Sequence, residues 1–167
     1  MELGHSKTNI NLEYMRSDIT FRLATEKDLI DIVRMLADDP LGASRETINV
    51  PLPKAYLQAF AQIRNDSNQE LIVAELNGEI VGTFQLTFIQ YLTHRGGLRA
   101  QVEAVRVSSA HRGKGVGARL LQYAIERAKE KDCYVVQLTT DNQRPRAIQF
   151  YESLGFVASH EGMKLKL

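Results

Sequence analysis

The sequence carries a single cysteine, Cys133, in 167 residues. One thiol closes no intrachain disulfide and supplies no cysteine-rich zinc site. It opens the apolar run Cys133-Tyr134-Val135-Val136, where it reads as a small buried hydrophobe and not as a nucleophile. The four histidines, at positions 5, 94, 111 and 160, lack metal-ligand spacing, so no metal is expected. Charge of one sign is missing as well: 21 basic residues face 20 acidic ones, the net charge is +1, and no four basic residues run together. That balance gives no general attraction for polyanions, and nucleic acid is not an expected partner. No secretory leader and no apolar run long enough to cross a bilayer are found. The expectation is a cytoplasmic protein without a membrane partner. Repeats and low-complexity segments are absent too.

What remains is an ordinary globular composition, 44% hydrophobic and 25% charged, at a length that suits one domain with its own core. Residues 1–18 are polar, without sustained periodicity, and read as a loose extension ahead of a domain over 19–167. Residues 19–23 alternate as a half-buried strand does. Thr25 with Asp28 makes an imperfect capping box before a helix with Leu29, Ile32, Val33 and Leu36 on one face, ending near Asp38-Asp39-Pro40. A second helix is expected over 53–65 with Tyr56, Leu57, Phe60 and Ile63 inward. Asn77-Gly78 marks a hairpin between strands at 71–76 and 79–89. A turn at 94–97 then leads into a strand at 99–107. Further on come a helix with Val116, Leu120, Leu121, Ala124, Ile125 and Ala128 on one side, a strand at 133–139, a helix at about 144–153, and two short strands around Gly162.

The densest signal is Val105-Arg106-Val107-Ser108-Ser109-Ala110-His111-Arg112-Gly113-Lys114-Gly115-Val116-Gly117-Ala118. It reads as a buried strand, a glycine-rich turn and the start of an amphipathic helix. Such a helix start offers unpaired N–H groups and a partial positive charge to a phosphate. A P-loop is a poor match, because no Ser or Thr follows Lys114. A dinucleotide fingerprint is poor too: the glycines at 113, 115 and 117 alternate, and they come late in the chain instead of after the first strand.

Arg112-Gly113-Lys114-Gly115-Val116-Gly117 matches Arg/Gln-x-x-Gly-x-Gly/Ala, and the chain resembles the GNAT N-acetyltransferase superfamily, whose acyl-CoA pyrophosphate loop has that pattern. Downstream, Ala147-Ile148-Gln149-Phe150-Tyr151-Glu152-Ser153-Leu154-Gly155-Phe156 is similar to the superfamily's second signature, Ala-x-x-x-Tyr-x-x-x-Gly-Phe. The resemblance implies an α/β (α+β) GNAT fold, a mixed central sheet of about seven strands flanked by about four helices. It implies acetyl-CoA as co-substrate and N-acetylation of a primary amine of a small molecule, by direct attack in a ternary complex. A protein or peptide N-acetyltransferase and a non-catalytic acyl-CoA-binding module are the alternatives. A homodimer is common in the superfamily.

Residue by residue, the resemblance makes Tyr151 the candidate general acid for the leaving thiolate. It sets backbone N–H groups of Gly113, Lys114, Gly115, Val116, Gly117 and Ala118 toward pyrophosphate, with Arg112 and Lys114 adding charge. Val105, Arg106 and Val107 lie on the strand that meets the pantetheine arm, where the fourth and fifth strands splay. Many members carry Asn three residues before the motif alanine; this chain has Arg144 there and Asn142 two residues earlier, both candidate cofactor contacts. An amine nucleophile must lose a proton first. Gln101 and Glu103 share a strand face where relatives place a base, and Glu103 is the strand's one carboxylate. Apolar neighbours Val102 and Val105 would raise its pKa, and pairing with Arg99 or Arg106 is the competing structural role. On the acceptor side, Asp38 and Asp39 suit a cation, whereas Arg45, His94 and Arg95 suit an anion.

Overall fold

The computed structural model describes residues 19–39 and 42–167; the expected extension over 1–18 lies outside the described residues. The elements are β1 (Thr20–Leu23), α1 (Leu29–Ala37), α2 (Lys54–Asn65), β2 (Gln69–Leu76), β3 (Glu79–Gln90), β4 (Leu98–Val107), α3 (Val116–Glu130), β5 (Cys133–Leu138) and α4 (Pro145–Ser153), with one-turn segments at Glu26–Asp28, Thr93–Gly96 and Ser109–His111. One sheet runs in the order β1-β2-β3-β4-β5, antiparallel except for the parallel pair β4 and β5.

Local chemistry sets the boundaries. Asn77 and Gly78 take positive φ of 52° and 82°, the pair of left-handed residues that a two-residue hairpin turn requires. Ahead of α1, the Asp28 carboxylate accepts the Thr25 N–H at 2.7 Å and the Thr25 hydroxyl at 2.9 Å, so the expected capping box forms.

The sheet buries a layer on each face. On one side α3 sets Val116, Leu120, Leu121, Ala124 and Ala128 against Val81, Phe84, Leu86, Ala100 and Val102, with α4 covering through Phe150, Tyr151 and Leu154. On the other, Leu29, Ile32 and Phe60 of α1 and α2 cover Val73. Gly82 lets α3 lie close to β3: a Cβ there would stand 2.9 Å from Leu120 Cδ1 and 3.1 Å from the Arg106 carbonyl oxygen. Leu57, expected inward, is exposed; α2 turns Phe60 into the core and leaves Tyr56 and Ile63 half-buried.

The strand count corrects the sequence reading: among the described residues five strands form, not about seven. The expected pair around Gly162 is absent, and residues 157–167 run without secondary structure. Met163, Leu165 and Leu167 keep a two-residue alternation but are all exposed. Alternation makes a strand only where a neighbour satisfies its backbone, and no described strand pairs with this tail or with the outer edge of β5.

Candidate active site

The sheet opens at one place. β4 pairs with β5 from Leu98 to Val102, opposite Cys133 to Leu138, and then continues alone to Val107. On its other side, β3 pairs Thr83 with Arg106 and Gln85 with Glu103, so β4 holds one residue more than β3 across that interval. The extra residue makes a bulge in which Ala104 takes φ 53°. A non-glycine residue in the left-handed region costs about 1–2 kcal/mol, and such strain gathers at working sites. The bulge bends β4, and its last five residues face a gap instead of β5.

The glycine loop stands at the mouth of that gap. Gly113 and Gly115 have φ of 73° and 85°, and a Cβ on either would meet nothing within 4 Å, so the backbone faces open space. α3 starts at Val116, and its first N–H groups have no intrahelical acceptors. Gly117 serves packing: a Cβ there would lie 3.3 Å from Phe150 Cζ on α4. This bare left-handed cradle ahead of a 15-residue helix fits a pyrophosphate. Ser108 Oγ and His111 Nδ1, 2.7 Å apart, shape the approach. Arg112 donates Nε to the Val107 carbonyl at 3.2 Å and a terminal nitrogen to Asp38, at 2.7 Å to its carbonyl and 2.9 Å to its carboxylate. Lys114 is half-buried, and Asn142 is exposed in the turn before α4.

Tyr151 on α4 packs on the same core layer as Val105 and Val107, against the rings of Phe150 and Phe156 at 5.3 and 6.0 Å. Burial pushes its phenol above the usual value, and the Arg106 and Arg144 guanidiniums pull the other way. Arg144, at the N-cap of α4, bonds Asp39 Oδ2, and Arg106 places a terminal nitrogen 3.5 Å from the same oxygen. Arg106 also donates to the Val105 carbonyl at 2.9 Å, while its buried Nε has no partner among the described residues. Desolvation pulls the Arg106 pKa down, and Asp39 opposes it.

The polar face of β4 lies toward α1 and α2. Gln101 is buried and bonded to Gln137, which accepts Arg99 at 2.7 Å; Arg99 also donates to the Tyr134 hydroxyl at 2.8 Å and lies 4.4 Å over the Tyr91 ring. Glu103 follows on the same face and is exposed. Its sequence neighbours Val102 and Val105 pack into the opposite layer and do not bury its carboxylate, while Arg99 and Arg106 are engaged elsewhere. A cavity of roughly 110 Å³ between this face and the helices is lined by Leu29, Ile32, Phe60, Thr83, Gln85 and Ala104.

Several sequence expectations are thereby relocated. Asp38 and Asp39, proposed as attractors of a cation, are occupied by Arg112 and by Arg106 with Arg144. Arg106 brings a side chain to the site from the face opposite its valine neighbours. The alternation Val105-Arg106-Val107 already carried that signal. Asp39 as the joint between two arginines was not readable, since its partners lie 67 and 105 positions away.

A family model described as Acetyltransferase (GNAT) family matches residues 31–156. A glucosamine 6-phosphate N-acetyltransferase of Trypanosoma brucei brucei is 28% identical over 148 residues, covering 84% of this chain and 99% of the relative. An aminoalkylphosphonate N-acetyltransferase of Salmonella typhimurium is 30% identical over 107 residues, 64% of this chain and 69% of the relative. A crystal structure described as a transcriptional regulator from Bacillus halodurans C-125 is 56% identical with a TM-score of 0.87, covering 89% of this chain and 99% of that one.

Proposed function

The chain belongs to the GNAT acetyltransferase family, and on that premise we propose that this N-acetyltransferase moves an acetyl group from acetyl-CoA to the primary amine of a small molecule by direct attack in a ternary complex. The observation that carries the reading is a single opening shared by three features. They are the gap beyond Val102, the bare left-handed loop at Gly113 and Gly115, and the half-buried Tyr151 near two guanidiniums.

Backbone N–H groups from Gly113 to Ala118 hold the pyrophosphate, with Arg112 and Lys114 nearby. The edge of β4 at Val105, Arg106 and Val107 that β5 leaves open faces the pantetheine arm as a neighbouring strand would, with the Val105 and Val107 carbonyls held by Arg106 and Arg112 until it binds, and Asn142 and Arg144 flank it. The acceptor enters from the polar face of β4. Glu103 takes a proton from the ammonium, directly or through water, so that the nitrogen lone pair is free to attack. The new N–C bond forms as the C–S bond breaks, and Tyr151 gives its proton to the departing thiolate. Its raised pKa keeps the phenol protonated at neutral pH. Proton loss to a thiolate of pKa about 8.5 is uphill for a phenol, and the two arginines offset this by stabilising the phenolate.

The two curated relatives are named for acetylation of small amines, which supports a small acceptor. Retention of both an acid and a base candidate supports turnover over a purely acyl-CoA-binding regulatory module. An amine library scored for free thiol tests the reading directly. Tyr151→Phe is expected to lower kcat about 100-fold with little change in acetyl-CoA KM. A matching loss of acetyl-CoA affinity instead makes Tyr151 a packing residue. Glu103→Gln is expected to lower kcat and alter the pH profile; unchanged activity across pH removes the base assignment. Thiol release with peptide amines alone points to protein acetylation, and acetyl-CoA binding without release for any amine points to a binding module.

A further inference from the structure

Resting on the amine-acetyltransferase reading, we propose that Arg106 and Arg144 seat a dianionic phosphate or phosphonate group of the acceptor, and that Asp39 occupies that seat when the acceptor is absent. The two guanidiniums come from separate elements, β4 and the N-cap of α4, and converge on one carboxylate oxygen. All three side chains are mostly withdrawn from solvent, with exposures of 22% for Arg106, 31% for Arg144 and 16% for Asp39. Arg144 takes the oxygen in a direct hydrogen bond. Arg106 is left at 3.5 Å, outside ordinary hydrogen-bond length, and its buried Nε has no acceptor among the described residues. Glu46 contributes attraction to Arg106 from farther away, and its own carboxylate is taken by the Tyr56 hydroxyl at 2.8 Å.

Two guanidiniums thus share a single carboxylate; Arg106 gives one terminal nitrogen to the Val105 carbonyl, holds Asp39 only at the longer distance with the other, and leaves its Nε without an acceptor among the described residues. An acceptor carboxylate would replace Asp39 like for like and leave that imbalance. A phosphate or phosphonate brings a second charge and three oxygens, enough to pair with both guanidiniums, including Nε of Arg106. Position favours the acceptor as the source of that anion. Arg106 is two residues past the Ala104 bulge on the face that turns toward α1 and α2, and Asp39 lies just beyond the end of α1. The pyrophosphate cradle is a separate feature at 113–118. Tyr151 feels both arginines, so an acceptor anchored there lies beside the proposed acid.

The test uses methylphosphonate, which has no amine, titrated calorimetrically into the full chain with saturating CoA present. Wild type is expected to bind. Arg144→Gln and Arg106→Gln should each weaken binding at least about tenfold, the loss of a charge-assisted pair, and Asp39→Asn should tighten it severalfold. Should Arg106→Gln fail to fold, Arg144→Gln still decides. In turnover, the ratio of kcat/KM for 2-aminoethylphosphonate over ethanolamine should fall by at least tenfold in Arg144→Gln. Loss of methylphosphonate binding whenever CoA is bound assigns the arginines to the cofactor and overturns the proposal. So does a rise in acetyl-CoA KM with an unchanged amine ratio. Thiol release from ethanolamine with no methylphosphonate binding overturns the seat and leaves the acetyltransferase intact. No thiol release with any amine, alongside methylphosphonate binding that the variants lose, supports the seat and sinks the amine reading.

Discussion

The Asp28 carboxylate takes four hydrogen bonds. Arg22 reaches it with two nitrogens at 2.7 and 2.9 Å, and the Thr25 N–H and hydroxyl add two more bonds. The Arg22 guanidinium, helped by Thr25 and opposed by desolvation, holds its pKa at about 2 against an ordinary 3.8. A depressed folded-state pKa contributes stability that is fully present above 3.8 and lost as pH falls toward about 2. The shift corresponds to about 2 kcal/mol. Asp28→Asn is therefore expected to lower stability by about that amount at pH 7 in urea unfolding. Its stability should also fall less than that of wild type between pH 4 and pH 2. A variant whose acid limb still parallels wild type would assign acid sensitivity to other carboxylates. The Thr25 and Asp28 spacing was legible as a cap; Arg22 as its chief partner was not, because that contact depends on how β1 turns into α1.

At the scale of elements, the first two glycines of the loop, Gly113 and Gly115, do different work from the third, Gly117. Gly115→Ala meets no atom but must hold φ 85°, so about 1–2 kcal/mol of backbone strain is expected, together with a raised acetyl-CoA KM. Gly117→Val presses on Phe150 and should displace α4 with Tyr151, lowering kcat more than it changes acetyl-CoA affinity. Comparing the kcat-to-KM split of the two variants checks the division; the same split in both would refute it. Glycine spacing, the Asn77-Gly78 turn and the apolar stripe of α3 were all readable, because each is written within a few residues. The β4 bulge was not. Nothing in Gln101 to Val107 marks the extra residue, whose existence depends on register with β3. The C-terminal alternation misled for the converse reason: its periodicity is local, and a strand partner is not.

Over the whole molecule, the layers on either side of the sheet are tied together at Asp38 and Asp39. Arg112 joins the end of α1 to the glycine loop, and Arg106 with Arg144 joins it to β4 and α4. Arg127 on α3 makes a further tie across the fold to Glu70 on β2. Such ties position loops more than they stabilise the fold. The Arg112 and Asp38 side chains are 49% and 47% exposed, and a double-mutant cycle on them is expected to give less than about 1 kcal/mol. Leu121→Ala, a fully buried truncation beneath α3, should cost about 2–5 kcal/mol in the same unfolding assay. The reverse ranking would mean that charge, not the core, dominates stability.

Resemblance to the GNAT signatures singled out Tyr151 and Glu103 as candidates; by itself the sequence determined the element order through β5 and α4, the hairpin turn and the glycine cradle. Those features rest on short-range rules of periodicity, capping and backbone freedom. Only the tertiary structure decided that β4 parts from β5 at Val102, that Glu103 is exposed, and that Asp39, Arg106, Arg144 and Tyr151 meet. Those four lie on β4, on α4 with its N-cap, and just past α1. Convergence of that kind is set by strand register and helix docking, which no local stretch of sequence encodes.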